Sequence, residues 1–179
     1  MKYHTNWLLE QSNPEYLFFW GHRPSRDGSV IKSCLSQWWP ANFEENGERF
    51  LTAEHYMMVG KARLFQDEEI AQRMFTKTSP KDAKMLGRQV KNFDPEIWDK
   101  HKYAIVCKGN WLKFSQNAEL SDFLIKTGNK VLVEASPVDR IWGIGMAETD
   151  AEILYPQKWR GENLLGFALM EVRDELIKH

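Results

Sequence analysis

Apolar residues recur at three- and four-residue spacing between Thr52 and Phe65, which predicts an amphipathic helix. Its apolar stripe consists of Met57, Met58, Ala62 and Phe65. Thr52 is a suitable N-cap, because its hydroxyl can accept a hydrogen bond from a backbone N–H of the first turn. Glu54 falls in that turn, where the helix dipole favours a negative charge, and Lys61 follows about two turns later. Glu54 and Lys61 therefore lie almost in line, beside the apolar stripe.

Cap and breaker residues predict more helices on either side of a few short strands. One predicted helix begins at Ser79-Pro80. The others run from Asp67 to Met74, from Asp94-Pro95 to about Lys113, from Asn117 to Gly128, and from about Glu162 to Lys178. The predicted strands are Ser29–Trp39 and Lys130–Ala135, and Asn46-Gly47 marks a hairpin turn. The aromatic run ending in Phe19 and Trp20 predicts a strand or the floor of a pocket. The pattern thus predicts a mainly α fold with a few short β-strands.

Length and composition narrow the class of protein. A chain of 179 residues predicts a single domain over 1–179, with the polar residues 1–15 as an N-terminal extension. A net charge of −1 argues against binding nucleic acid by charge alone, although a local basic patch remains open. Cys34 and Cys107 are far apart and fit no metal spacing, which favours a reducing compartment. No leader or membrane-spanning run is visible, so a cytoplasmic location is expected.

The central helix carries the first candidate chemistry. Partial burial of Glu54 and Lys61 would favour their neutral forms, which suits acid–base or nucleophilic work. The alternative is a helix-terminal charge with a lysine that extends along the surface. No metal is expected, because the histidines form no His-x-x-x-His pair and no cysteine pair supports them. No cofactor is expected either, since Gly-rich phosphate loops are absent, and so is the Gly-x-Ser-x-Gly elbow of hydrolases.

Three other positions have both a chemical and a structural interpretation. Asp139 follows a buried strand in a loop with Trp142 and Gly143, where a carboxylate can take part in catalysis or cap a turn. Arg88, near a helix end, could bind a phosphate or interact with the helix dipole. Trp98 could stack on a base or belong to the core. Together these residues suit a phosphorylated or nucleoside-like ligand without identifying a reaction.

The chain resembles the NADAR family, also called YbiA-like, through an ordered set of motifs from about residue 18 to the C-terminus. These motifs are Leu35-Ser36-Gln37-Trp38-Trp39-Pro40, Ala53-Glu54-His55-Tyr56 with Lys61-Ala62, Ala83-Lys84 with Gly87-Arg88, Trp98, Lys113-Phe114-Ser115-Gln116-Asn117, Leu132-Val133-Glu134-Ala135-Ser136 through Asp139 to Trp142-Gly143-Ile144-Gly145, and Gly161, Asn163, Leu165-Gly166 and Leu169-Met170 with Arg173. Gln37 departs from the asparagine expected there. Residues 146–160 look longer than in the shorter members and could form a substrate-specific lid. The resemblance implies an orthogonal helical YbiA-like fold.

The resemblance also implies an N-glycosidase that breaks a bond between a ribose anomeric carbon and an exocyclic amine. Its substrate would be ADP-ribose on guanine or a ribosylamino-pyrimidine phosphate of riboflavin biosynthesis; a non-catalytic ADP-ribose-binding module is the third alternative. Glu54 would be the general acid/base, Asp139 an electrostatic stabiliser or ribose anchor, and Lys61 a possible Schiff-base nucleophile. The expected substrate-binding residues are Phe19, Trp20, Arg88, Trp98, Trp142, Gly143 and Asn163. The expected partner is a small nucleotide-like substrate, or ADP-ribosylated DNA or RNA.

Overall fold

The computed structural model describes residues 1–178, which form seven α-helices and four short β-strands. The helices are α1 (Thr5–Leu9), α2 (Ala53–Leu64), α3 (Glu68–Phe75), α4 (Pro80–Gly87), α5 (Pro95–Ser115), α6 (Ala118–Lys126) and α7 (Leu164–Lys178). The strands are β1 (Tyr16–Phe19), β2 (Phe43–Glu45), β3 (Glu48–Phe50) and β4 (Val131–Glu134), and short 3-10 helices cover Lys32–Leu35 and Pro156–Lys158. The predicted mainly helical fold with a few short strands is confirmed.

The chain divides into two compact units. The first comprises Met1–Ser36 and the chain from Glu119 onwards, and the second comprises Gln37–Ala118. The expectation of one domain over residues 1–179 therefore stays a prediction. No helix among residues 1–178 is both long enough and apolar enough to cross a membrane.

A parallel pair of strands forms the centre of the first unit. Strand β1 pairs with β4, so that Tyr16 lies opposite Val131 and Phe19 opposite Glu134. Helix α7 packs on β4, and Gly166 is the point of closest approach. A Cβ atom at Gly166 would overlap the carbonyl oxygen of Leu132, so a glycine is needed there for steric reasons.

Helix α2 is the centre of the second unit and packs against α3, α4 and α5. Glycines let these helices approach: a Cβ atom at Gly60 would lie 2.8 Å from Ile105, and one at Gly109 would lie 2.5 Å from Tyr56. Strands β2 and β3 form an antiparallel hairpin. Its turn is the predicted Asn46-Gly47, and both residues have the positive φ angles, 53° and 81°, that a type I′ turn requires.

The cap residues predicted the helix starts well. Thr52, Asp67, Ser79 and Asp94 each accept a hydrogen bond from a backbone N–H of the following helix. The strand at Ser29–Trp39 was a wrong prediction, because the segment contains a 3-10 helix closed by the bond from the Cys34 N–H to the Ile31 carbonyl. Five consecutive buried residues, 33–37, explain the error, since an alternating strand would expose every second one.

Two segments have more structure than the sequence indicated. Helix α1 lies within the predicted N-terminal extension; the His4 side chain accepts a hydrogen bond from the Trp7 N–H, and Leu8 is buried. Between residues 146 and 161, Ile153 is buried, and the Trp159 indole N–H donates to its carbonyl at 2.8 Å. These contacts anchor the segment, and the role of residues 146–160 as a substrate-specific lid stays a prediction.

Candidate active site

The predicted site residues divide between the two units. The second unit contains Glu54, Lys61, Arg88 and Trp98, and the first contains Phe19, Trp20, Asp139, Trp142, Gly143 and Asn163.

Glu54 is a buried carboxylate in the first turn of α2, and its side chain adjoins the positive end of the helix dipole. Its backbone N–H donates a hydrogen bond to the carbonyl of Gln37 at 3.0 Å, which ties the helix start to the preceding segment. A carboxylate held out of water on a capped helix is well placed for proton transfer.

The cap itself is a buried network around His55. The Thr52 hydroxyl oxygen lies 2.8 Å from His55 Nδ1, and His55 Nε2 lies 3.1 Å from the Lys77 carbonyl oxygen. A carbonyl can only accept, so Nε2 carries the proton. Burial lowers the pKa of His55 and keeps the ring neutral, so Nδ1 accepts from the Thr52 hydroxyl. This network fixes the first turn of α2, and with it the backbone of Glu54.

Lys61 is half-buried on the same helix and reaches towards α4 and α5. Its Nζ donates to the carbonyl of Gly87 at 2.8 Å and lies 4.1 Å from the ring centroid of Phe93 and 5.7 Å from that of Trp98. Burial lowers the pKa of Lys61 below its ordinary value of 10.5. A lowered pKa increases the share of neutral amine at physiological pH, which is the form that attacks a carbonyl-level carbon.

The surroundings of Lys61 provide aromatic surface. Trp98 is half-buried in the first turn of α5, and Phe93 is exposed and packs edge-on against Phe65 at 5.3 Å between ring centroids. Arg88 is the C-cap residue of α4 and its side chain is exposed. Of the predicted site residues in this unit, Lys61 and Trp98 are therefore the two that lie side by side in the structure.

Asp139 organises its own loop in the first unit. Its Oδ1 accepts hydrogen bonds from the backbone N–H groups of Ile141 at 2.9 Å and Trp142 at 2.8 Å. Gly143 fits closely against β4, since a Cβ atom there would lie 2.8 Å from the carbonyl oxygen of Glu134. One carboxylate oxygen of Asp139 thus stabilises the loop by accepting two backbone hydrogen bonds.

Two of the predicted substrate-binding residues belong to the scaffold. Asn163 is fully buried; its Oδ1 accepts from the Glu134 N–H at 3.0 Å, and its Nδ2 donates to the Leu132 carbonyl at 2.9 Å. Its φ of 57° suits asparagine. Phe19 is also fully buried, whereas Trp20 is exposed beside a pocket of about 310 Å³. We therefore leave Asn163 and Phe19 out of the proposed site.

Sequence reasoning missed the contacts of two residues around α2. Gln37 was noted only as a departure from the family pattern, yet its carbonyl holds Glu54 and its side chain contacts Asn110. Phe93 was not singled out, although its ring is the nearer of the two to Lys61 Nζ. No local signal could reveal these contacts, because they join positions that are far apart in sequence. Among residues 1–178, no group of three or more His, Cys, Asp or Glu side chains could hold a metal ion.

Comparisons with known proteins agree with the fold and with the motifs. The sequence profile of the NADAR domain matches residues 18–177. N-glycosidase R617 of Acanthamoeba polyphaga mimivirus is 48% identical over 166 residues, covering 90% of this chain and 96% of that protein. Riboflavin biosynthesis protein PYRR, chloroplastic, of Zea mays is 32% identical over 143 residues, covering 75% of this chain and 21% of that protein. The NMR structure of the E. coli protein YbiA matches with a TM-score of 0.72 at 26% identity, covering 94% of this chain and 88% of that one.

Proposed function

Because the chain belongs to the NADAR family, we infer that it is an N-glycosidase, a hydrolase of N-glycosyl bonds. We propose that it removes ADP-ribose from guanine bases, either on a small nucleotide-like substrate or on modified DNA or RNA. The observation that carries the proposal is the position of Lys61, an amine with a lowered pKa beside two aromatic rings, on the helix whose first turn contains the buried carboxylate Glu54. The cytoplasmic location stays a prediction.

In this proposal Glu54 acts as the general acid/base. Breaking the bond from the anomeric carbon to the exocyclic amine leaves positive, oxocarbenium-like charge on the sugar, and the leaving amine needs a proton. Glu54 gives that proton to the amine and later takes one from the attacking water. Asp139 keeps its proposed role as an electrostatic stabiliser or ribose anchor.

Lys61 gives a second route to the same products. A ring-opened ribose has an aldehyde-level carbon, which the neutral amine of Lys61 can attack. The bond from carbon to the base amine breaks, a Schiff base to Nζ forms, and the amine leaves with a proton. Water then adds to the Schiff base and releases the sugar and the lysine. The hydrogen bond from Nζ to the Gly87 carbonyl would hold the amine in place for this attack.

A ribosylamino-pyrimidine phosphate of riboflavin biosynthesis is the second candidate substrate. The riboflavin name of the maize relative favours it, but the match covers only 21% of that protein. The viral N-glycosidase matches over 96% of its length, so its general activity has more weight than the maize protein's pathway. The exposed ring of Phe93 and the half-buried Trp98 offer stacking surface to either leaving base.

The substrate test compares two compounds and one variant. Pure protein and Glu54→Gln are incubated separately with a guanine-ADP-ribosylated oligonucleotide and with the ribosylamino-pyrimidine phosphate, and sugar release is followed by chromatography. We expect release of ADP-ribose from the oligonucleotide, and a loss of about 10²- to 10⁴-fold in Glu54→Gln, as for other general acids. Faster turnover of the pyrimidine would select the second substrate. Tight binding of ADP-ribose without any release would identify a binding module instead.

The route through Lys61 has its own test. Borohydride added during turnover should trap the sugar on Lys61, and peptide mass spectrometry should locate it there. Lys61→Arg keeps a cation but cannot form the adduct, so it should lose both trapping and turnover. Turnover by Lys61→Ala at near wild-type rate would refute this route and leave direct attack by water.

A further inference from the structure

Two buried amide side chains meet beside the start of helix α2. Gln37 is the first residue of the second unit, and Asn110 lies within α5; their exposed fractions are 6% and 0%. Asn110 Nδ2 donates to Gln37 Oε1 at 2.7 Å and to the carbonyl of Val106 at 2.9 Å. The two residues are 73 positions apart, so this pairing belongs to the tertiary structure.

The Val106 carbonyl fixes the orientation of both amides. A carbonyl oxygen only accepts, so the Asn110 atom that faces it must be the nitrogen Nδ2. The Gln37 atom that faces the same nitrogen must then be the oxygen Oε1. Both amide assignments follow from this one backbone group rather than from the choice made for either side chain alone.

In this orientation one amide nitrogen and one amide oxygen of the pair have no hydrogen-bond partner among the described residues. These atoms are Gln37 Nε2 and Asn110 Oδ1, and both are buried. Buried polar atoms in native proteins are nearly always paired, so an unpaired buried N–H group calls for an explanation, and a role in catalysis is one of them. The Gln37 side chain is anchored at its oxygen, so its N–H groups are held in a defined direction.

The same residue is bonded to the backbone of Glu54. The Glu54 N–H donates to the Gln37 carbonyl at 3.0 Å, and both residues are buried at the N-terminal turn of α2. We propose that Gln37, anchored by Asn110, is a positioning residue for Glu54: its carbonyl fixes the helix start, and its Nε2 donates to the Glu54 carboxylate when that group is charged. This inference rests on the role of Glu54 in the proposed function.

The proposed bond acts at one point in the reaction. When Glu54 gives its proton to the leaving amine, a carboxylate remains in a buried place. Asn110 holds the Gln37 amide beside this turn, so its N–H can donate to the charged carboxylate with little reorganisation. When Glu54 takes a proton back from water, the need for that bond declines. Gln37 should therefore affect the rate of the bond-breaking step rather than the binding of substrate.

The kinetic test removes the N–H donor of Gln37 in two variants. In Gln37→Glu an oxygen still faces Asn110 Nδ2, and Gln37→Met removes the donor without adding a charge. We expect kcat to fall at least about tenfold, towards the loss seen when one preorganised donor is removed, with KM within about twofold of wild type. Thermal unfolding and circular dichroism would confirm that each variant is folded.

Gln116 provides a matched control in the same unit. Its amide accepts from the Glu44 N–H and donates to the Glu44 carbonyl at 2.8 Å each, and the residue is exposed. Gln116→Glu makes the same chemical change without touching Glu54, so its kcat and KM should stay at wild-type values. Wild-type kcat in both folded Gln37 variants would overturn the proposal, while a loss in Glu54→Gln would leave the proposed function standing.

A spectroscopic signature tests the bond without turnover. In 1H–15N spectra recorded over a rising pH series, one of the Gln37 Nε2 protons, assigned by its loss in Gln37→Glu, should move downfield of an ordinary glutamine side chain as Glu54 loses its proton. That shift should disappear in Glu54→Met and persist in Lys61→Arg. If wild type cleaves neither substrate, the proposed function fails on its own, and these spectra still decide the role of Gln37. A resonance at the ordinary position, unchanged in Glu54→Met, would overturn it.

Discussion

Substituting Thr52 by alanine should destabilise the protein by more than an ordinary helix cap does. The Thr52 oxygen accepts from the His55 N–H at 3.3 Å and its hydroxyl donates to the His55 ring nitrogen Nδ1 at 2.8 Å. Both residues are buried, with 2% and 4% of their surface exposed, so water cannot replace the lost oxygen. One substitution thus removes a cap and leaves a buried ring nitrogen without its donor.

The magnitude follows from these two losses. Removing an N-cap hydroxyl costs about 1 kcal/mol, and leaving a buried acceptor unsatisfied costs about 1 to 3 kcal/mol. Thr52→Ala should therefore lower the free energy of unfolding by roughly 2 to 4 kcal/mol. Thr52→Ser retains the oxygen and loses one methyl group, so its loss should be about 1 kcal/mol. Urea unfolding at pH 7.5 measures both, and equal losses in the two variants would refute the assignment of the hydroxyl to His55.

The same network makes stability depend on pH. Burial lowers the pKa of His55 in the folded protein below its ordinary value of 6.5. As the pH falls through 6.5, the unfolded chain binds a proton at His55 and the folded protein does not, so stability decreases until the pH passes the folded pKa. Above 6.5 both states are neutral and this contribution is complete. His55→Gln should remove the part of the slope between pH 7.5 and 5.5 that is due to His55, as urea midpoints would show; an unchanged slope would contradict the lowered pKa.

Three further substitutions separate structural from chemical roles. Asn163→Ala removes both hydrogen bonds to β4 and should lower the free energy of unfolding, measured in urea, by about 2 to 4 kcal/mol. KM should stay unchanged, and a large rise in KM in the folded variant would restore the predicted role of Asn163 in binding. Asp139→Asn keeps an oxygen for the Ile141 and Trp142 N–H groups, so it should unfold at the wild-type temperature but lose kcat, whereas equal activity would remove Asp139 from the reaction. Gly87→Ala puts a methyl group onto Met58 Sδ and should cost about 1 to 3 kcal/mol and reduce borohydride trapping on Lys61. If overlap is the cause, Gly87→Ala should cost less stability in a Met58→Ala background than in wild type.

Local chemistry explains why most helix boundaries could be predicted. A cap side chain acts on the two or three residues after it, so Thr52, Asp67 and Asp94 show their function in sequence alone. The Asn46-Gly47 turn is equally local, because both residues tolerate positive φ. Helix α1 was missed because its cap is the imidazole of His4 rather than a common cap residue, and because a five-residue helix has too few positions to show a period.

The candidate site could be predicted only where its residues share a helix. Glu54 and Lys61 were placed correctly on α2 by their spacing, but the environment that lowers the Lys61 pKa comes from elsewhere. Asn163 is the contrary case. As a polar residue in a family motif it was predicted to bind substrate, but in the structure both its amide oxygen and its amide nitrogen are hydrogen-bonded to β4. A motif marks a position under constraint, but the constraint can be the backbone of a neighbouring strand.

The position of Lys61 depends on a residue that has no side chain. Gly87 allows α4 to pack directly on Met58 of α2, and this close approach brings the Gly87 carbonyl to 2.8 Å from Lys61 Nζ. A carbonyl is a neutral acceptor, so it holds the amine in place without the charge of a carboxylate, which would keep the lysine protonated. The rings of Phe93 and Trp98 complete the environment, and neither supplies a negative charge. In the part of the chain that the structure describes, the groups in contact with this amine are neutral, and burial lowers its pKa. The neutral amine is the state in which Lys61 could attack a sugar carbon.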